Sequence, residues 1–99
     1  MAEEERTLVA PSSSIYHDRE KYTIEVELPG VDKKDINFEA SGTGFCLRAP
    51  RGDDVEYVGC WNLAHTIDPE KVDATFKNGL LTVTVPFAER FEGVKVAIK

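Results

Sequence analysis

The dipeptide Asn78-Gly79 constrains this chain more than any other feature of it. A two-residue turn whose twist matches its flanking strands needs positive φ at both positions, and Asn followed by Gly supplies it at the lowest steric cost. The dipeptide sits inside VDATFKNGLLTVTVPF, residues 72–87, between two alternating runs. A turn there sets Phe76 opposite Leu81, Ala74 opposite Val83 and Val72 opposite Val85, so the two strands share one continuous apolar face. Asp73, Thr75, Lys77, Thr82 and Thr84 take the other face, where Leu80 is the one apolar intruder. Pro86 lacks an N–H and ends the second strand.

The same alternation recurs upstream. Tyr22, Ile24, Val26 and Leu28 alternate with Lys21, Thr23, Glu25 and Glu27, which predicts a strand with one face buried and one solvated. Pro29-Gly30 ends it, and residues 32–35 are too short for more than a single turn begun by Asp32. Residues 36–40 form the next strand, with Ile36, Phe38 and Ala40 on one face. Ser41-Gly42-Thr43-Gly44 resembles a fragment of a phosphate-cradling loop, but no Lys-Ser or Lys-Thr follows and no helix opens, so it reads as a hairpin turn. Phe45, Leu47 and Ala49 then alternate with Cys46 and Arg48. Residues 51–54 read as a turn, 55–58 as a short strand, Gly59 as a break, and 60–67 as a strand with Trp61, Leu63 and Ile67 on its apolar face. Asp68-Pro69 repeats the one-turn device, with proline behind a capping acid. Near the amino end, residues 7–10 and 15–17 read as short strands around a Pro-Ser-Ser-Ser break.

No segment keeps a helical period over three turns. About seven or eight short strands with regular turn punctuation predict an all-β sandwich in which two sheets bury their inner faces against each other. At 99 residues the chain forms one domain with a modest core. The sandwich is expected over residues 12–87, after a short arm at 1–11 and before a tail at 88–99. Its inward set is Ile24, Val26, Leu28, Ile36, Phe38, Phe45, Leu47, Trp61, Leu63, Ile67, Val72, Phe76, Leu81, Val83 and Val85.

Charge and composition exclude several functions. The formal net charge is -6 with 30% charged residues, and without a basic stripe to neutralise phosphates no nucleic acid partner is expected. The opening MAEEER carries acids where a secretory signal carries positive charge, and no stretch is long and apolar enough to span a bilayer, so a cytoplasmic protein with no membrane partner is expected. Cys46 and Cys60 fall on the outward face beside Arg48 and Asn62. Without C-x-x-C spacing, and in a reducing compartment, they are expected as free thiols. His17 and His65 have no partners at ligand spacing, and no nucleophile lies near a base, so the chain reads as a non-enzyme without metal or cofactor.

Two motifs carry a family resemblance. Glu27-Leu28-Pro29-Gly30-Val31-Asp32-Lys33-Lys34-Asp35-Ile36 resembles the E-L-P-G-x-x-K-x-D-I segment of small heat shock proteins. Ala74-x-x-x-Asn78-Gly79-Leu80-Leu81 resembles the A-x-x-x-N-G-[VL]-L signature near the end of their alpha-crystallin domain. With the strands between them, the motifs cover residues 15–86. The resemblance implies an immunoglobulin-like sandwich of two antiparallel sheets, and a chaperone that holds unfolded or partly folded clients without ATP and limits their aggregation. It also implies a receiving groove between the strands of Ile36, Phe38 and Ala40 and of Val72, Ala74 and Phe76. The docking element of such proteins is an I-x-I or V-x-I tail, which Val94, Val96 and Ile98 fit. Docking of this kind is strand addition, with alternate apolar side chains dropping into pockets. The competing expectation is that residues 94–98 form a last strand within their own domain.

Two departures from the family pattern bear on assembly. The long loop that exchanges a strand between partners is reduced to residues 51–59, and the apolar amino-terminal region to a few acids. A dimer or small oligomer is therefore expected. The alternative function is an adaptor or assembly factor of the p23 type that binds one folded partner.

Overall fold

Both turn residues adopt the left-handed conformation that the hairpin requires, with φ 51° at Asn78 and 80° at Gly79. Phe76 faces Leu81 and Ala74 faces Val83 in the resulting antiparallel pair, which begins at Asp73 and so leaves Val72 just outside it. The structure, a computed structural model, describes residues 6–88 and 94–99. Its strands are β1 (Thr7–Val9), β2 (Ser13–His17), β3 (Lys21–Glu27), β4 (Asn37–Ser41), β5 (Gly44–Arg51), β6 (Val55–Asn62), β7 (Asp73–Lys77) and β8 (Leu80–Pro86). They form two four-stranded sheets, ordered β1-β6-β5-β4 and β2-β3-β8-β7. Every pairing is antiparallel except β1 with β6, where Thr7 to Val9 run parallel to residues 55–57. Single 3-10 turns at Lys33–Asp35 and Pro69–Lys71 take the two places read as one-turn devices. At the second, Asp68 caps the turn by accepting from the Glu70 amide; at the first, the Asp32 side chain makes no capping bond.

The inner faces of β3, β5 and β8 supply most of the core. Ile24, Val26, Leu28, Phe45, Leu47, Ile67, Leu81, Val83 and Val85 are buried as the alternation requires, joined by Tyr22, Val31, Ala49 and Tyr57. Ile36, Phe38, Trp61, Leu63, Val72 and Phe76 are only half-buried against that core. Their positions explain it, since they lie on edge strands, at strand ends or in connections, where one side has no neighbouring strand to cover it.

The two sequence motifs, about fifty residues apart, meet in space. The Leu28 amide donates to the Gly79 carbonyl at 2.7 Å, and a Cβ on Gly79 would lie 3.5 Å from the Pro29 Cα. The hairpin turn therefore packs on the end of β3 and fixes where the chain leaves it.

Three local expectations need correction. Strand β6 runs unbroken through Gly59, where a Cβ would come within 3.1 Å of the Trp61 ring; the glycine makes room for the indole and does not end the strand. Residues 63–67 are a connection, not the continuation of that strand, held by Leu63 N to Thr43 O at 2.9 Å and Ile67 N to Gly42 O at 3.0 Å. Ser13 and Ser14 belong to β2, not to a break. A fourth correction concerns the cysteines, which face outward as expected but are not free thiols. Cys46 and Cys60 are joined as a disulfide across β5 and β6.

Candidate functional site

The candidate site is the flank of the sandwich where both sheets end in a short strand. On the opposite flank, β6 is tied to β2 by a hydrogen bond from Trp61 Nε1 to Ser13 Oγ at 3.2 Å. That leaves β4 and β7 as the terminal strands of the two sheets on the near flank. Each pairs along one side only, β4 with β5 and β7 with β8. Among the described residues no strand covers their outer sides, so both offer free backbone donors and acceptors.

The strand pattern determines what lines this flank. Ile36, Phe38 and Ala40 are half-buried, as are Val72 and Phe76, while Ala74 is exposed. Phe38 stacks on the buried Phe45, ring centroids 5.3 Å apart at 25°, so the core fixes the floor of the flank. Asn37, Glu39 and Ser41 on β4, and Asp73, Thr75 and Lys77 on β7, alternate with these residues and face solvent. All six residues expected for a receiving groove thus lie on or beside the two open edges. An apolar floor that is half-covered, next to unpaired backbone, can accept an extended segment.

The tail does not occupy that flank within its own chain. Val94, Val96 and Ile98 are 89%, 77% and 97% exposed, and residues 94–99 carry no strand. The expectation of a last strand paired within the domain is not met by these residues.

Leu80, the apolar intruder of the hairpin, also finds a place. With Val9, Ala10, Pro11 and Pro29 it lines an open hollow of about 450 Å3 between the amino-terminal segment and the hairpin turn. A second apolar margin was not expected from the sequence: Leu8, Ile15 and Tyr16 are 62%, 44% and 53% exposed on β1 and β2. Its signal was weak, because short strands with few alternations look like loops.

Polar groups outside the flank do structural work. His17 and His65, distant in sequence, bring their ring centroids within 5.4 Å, and His65 stacks on Phe87 at 4.3 Å. The His65 amide donates to Tyr22 Oη at 3.2 Å, and the same phenol oxygen shares a hydrogen bond with His65 Nδ1 at 2.7 Å. The histidines therefore close the end of the sandwich where β2, β3 and the exit of β8 converge. Among the described residues, no three His, Cys, Asp or Glu side chains gather as metal ligands would. Asp18 accepts from the Glu20 and Lys21 amides at 2.7 and 2.9 Å, and those amides hold its carboxyl below its ordinary pKa. The Tyr16 phenol, donating to Glu25, is shifted upward by that hydrogen bond. Neither group lies on the β4 and β7 flank. No helix among the described residues is long and apolar enough to cross a membrane.

Comparison with known proteins bears on the same region. Residues 14–99 match the family model of the Hsp20/alpha crystallin family. Heat shock protein 16 of Schizosaccharomyces pombe is 28% identical over 92% of this chain and 76% of its own length. Small heat shock protein C2 of Rickettsia felis is 26% identical over 96% of this chain and 71% of its own. Among solved structures, heat shock protein 16.0 from Schizosaccharomyces pombe superimposes with a TM-score of 0.74 at 24% identity, over 92% of this chain and 76% of that one. A small heat-shock protein from Xylella fastidiosa, described as having a distinct high order structure, gives 0.71 at 13% identity, over 92% and 97% of the two chains. At these identities the two structural likenesses show the fold.

Proposed function

This chain belongs to the Hsp20/alpha crystallin family, and we propose that it is a holdase which retains extended segments of partly unfolded proteins along the open edges of β4 and β7. Membership supports a chaperone role, and the family consists of ATP-independent chaperones, not enzymes, that typically self-assemble into oligomers. The observation that carries the finer reading is the coincidence, on one flank, of two unpaired strand edges with a half-buried apolar floor. A guest strand gains about 0.5–1.5 kcal/mol for each backbone hydrogen bond and about 1.5–3 kcal/mol for each apolar side chain it fully buries. Ordering each of its residues costs about 1–2 kcal/mol. These nearly cancel over a short segment, so binding is weak, tolerant of sequence and reversible, as holding many different clients demands.

The tail element Val94, Val96 and Ile98 fits the same edges when supplied by a neighbouring copy, and it competes there with clients. The β5 and β6 strands are joined by a tight turn at residues 52–54, too short for a strand exchanged between subunits, so the dimer or small oligomer of this reading is joined by other contacts, the tail among them. A cytoplasmic location belongs to the same reading. The test is suppression of heat-induced aggregation for several unrelated clients at near-stoichiometric ratio. Ala74→Lys, placed at an exposed position of β7, is expected to leave the fold intact and abolish most of the protection. Undiminished protection by that variant overturns the proposed groove, and protection of one client alone favours the p23-type adaptor.

A further inference from the structure

The disulfide is the feature that the chaperone reading does not use. Cys46 and Cys60 are directly opposite in the β5–β6 register, with Cα atoms 4.1 Å apart. Three observations decide what such a pair can do.

The first is access. Exchange begins when a thiolate attacks one sulfur of the disulfide, so the rate depends on whether an attacker can reach it. Both cysteines are exposed, and an open hollow of about 490 Å3, bordered by Leu8, Arg48 and Val58, lies against them. The second is that the disulfide is one link in a longer ladder. The β5–β6 ladder continues on both sides of the pair, from Gly44 opposite Asn62 to Arg51 opposite Val55, so the two side chains stay apposed once the bond opens. The third is orientation. Phe45 and Leu47, the neighbours of Cys46 in sequence, point into the core, so chemistry at the sulfurs leaves the core packing untouched.

We propose that Cys46 and Cys60 form a reversible thiol–disulfide site whose exchange partner is a low-molecular-weight thiol of the glutathione class. One small thiolate attacks a cystine sulfur, the S–S bond breaks, and the other cysteine leaves as a thiolate that takes up a proton. A second small thiolate attacks the mixed disulfide, which frees the remaining cysteine and forms the small-molecule disulfide. Two electrons pass from the two small thiols to the protein, and the reverse sequence closes the bond. The reduced state is a cross-strand dithiol, placed to bind thiophilic groups through both sulfurs.

The test uses the native full chain without denaturant. In buffers of defined ratio of reduced to oxidised glutathione, the fraction of blocked thiols is read by mass spectrometry while circular dichroism follows the fold. Full interconversion is expected with an unchanged β signal. The reduced protein is then given phenylarsine oxide, which condenses with two thiols and loses one water. One-to-one capture is expected, together with its loss in Cys46→Ser and in Cys60→Ser. Reduction that proceeds only after the chain is unfolded overturns the site. Failure of the folded, reduced wild type to take up the arsenical overturns the apposed dithiol. Neither readout depends on chaperone activity, so this inference and the proposed function fail separately.

Discussion

Replacing Val94, Val96 and Ile98 together by serine separates docking between copies from packing within one chain. The three side chains are 89%, 77% and 97% exposed, so truncation removes almost no burial from the isolated fold. Each substitution at such a position changes stability by about 0.5 kcal/mol or less in either direction, which for a domain of this size is at most roughly 2–4 °C of melting temperature per residue. The effect on assembly is of another order. If a neighbouring copy buries two of the three, each contributes about 1.5–3 kcal/mol, and about 1.4 kcal/mol is tenfold in an equilibrium constant. The dissociation constant should therefore rise roughly a hundredfold to ten-thousandfold. Sedimentation velocity across a wide concentration range, with a thermal melt of the same samples, reads both quantities. The expected outcome is a smaller species with a nearly unchanged melt. An unchanged mass distribution refutes docking by this tail, and a markedly lower melting temperature shows that the segment packs on its own domain instead.

Gly79→Ala tests the hairpin on which the register depends. A Cβ there meets only ordinary contacts, the nearest at 3.5 Å, so the cost comes from the backbone at φ 80° and is about 1–2 kcal/mol, a melting temperature lower by roughly 4 °C or more. Leu47→Ala empties part of the core beside Phe45 at a residue only 1% exposed, for about 2–5 kcal/mol, measured by chemical denaturation. Asp18 has its folded pKa lowered by the Glu20 and Lys21 amides, so its contribution is present above the unfolded value of about 3.9 and is lost as pH falls through the folded value. Asp18→Asn should therefore flatten the acid limb of stability measured by melts between about pH 2 and 5, and an unaltered limb would exclude that carboxyl as a source of acid sensitivity.

Where a strand shows several alternations, its face could be read from the sequence. Residues 21–27 and 81–85 alternate over their whole length, and their apolar positions Ile24, Val26, Val83 and Val85 are all at most 1% exposed. The candidate groove was placed by the family resemblance and not by alternation: Phe38 and Phe76 show the inward phase of their strands, but only the strand order puts β4 and β7 at the ends of their sheets. How far each residue is covered was not legible. Phe38 and Phe76 carry the same apolar signal as Phe45, yet Phe45 lies in an inner strand and is buried while the other two stay half-open. Coverage comes from the neighbour across the sheet, which the sequence of a single strand does not contain.

The cysteine pairing was hidden by two readings, the break at Gly59 and a turn placed at residues 51–54. Alternation assigns faces, but a cross-strand bond needs the register, and the register of a hairpin follows from the centre of its turn. Here that centre is Asp53, with Arg51 opposite Val55, and Cys46 and Cys60 lie seven residues on either side of it. Once residues 45–62 are taken as one hairpin centred on Asp53, the two cysteines are opposite each other. Reading Gly59 as a break cut the second strand in two and removed the register. A glycine within a strand marks either an end or a place where another group comes close, and only the position of the Trp61 ring, within 3.1 Å of where its Cβ would be, decides between them. Trp61 stands two residues away on the same strand, so the large side chain that needs the space was already in view. A glycine two residues from a tryptophan, inside an otherwise unbroken alternation, is therefore better read as accommodating the ring, and with the turn centred on Asp53, not between Gly52 and Asp53, that reading sets Cys46 opposite Cys60.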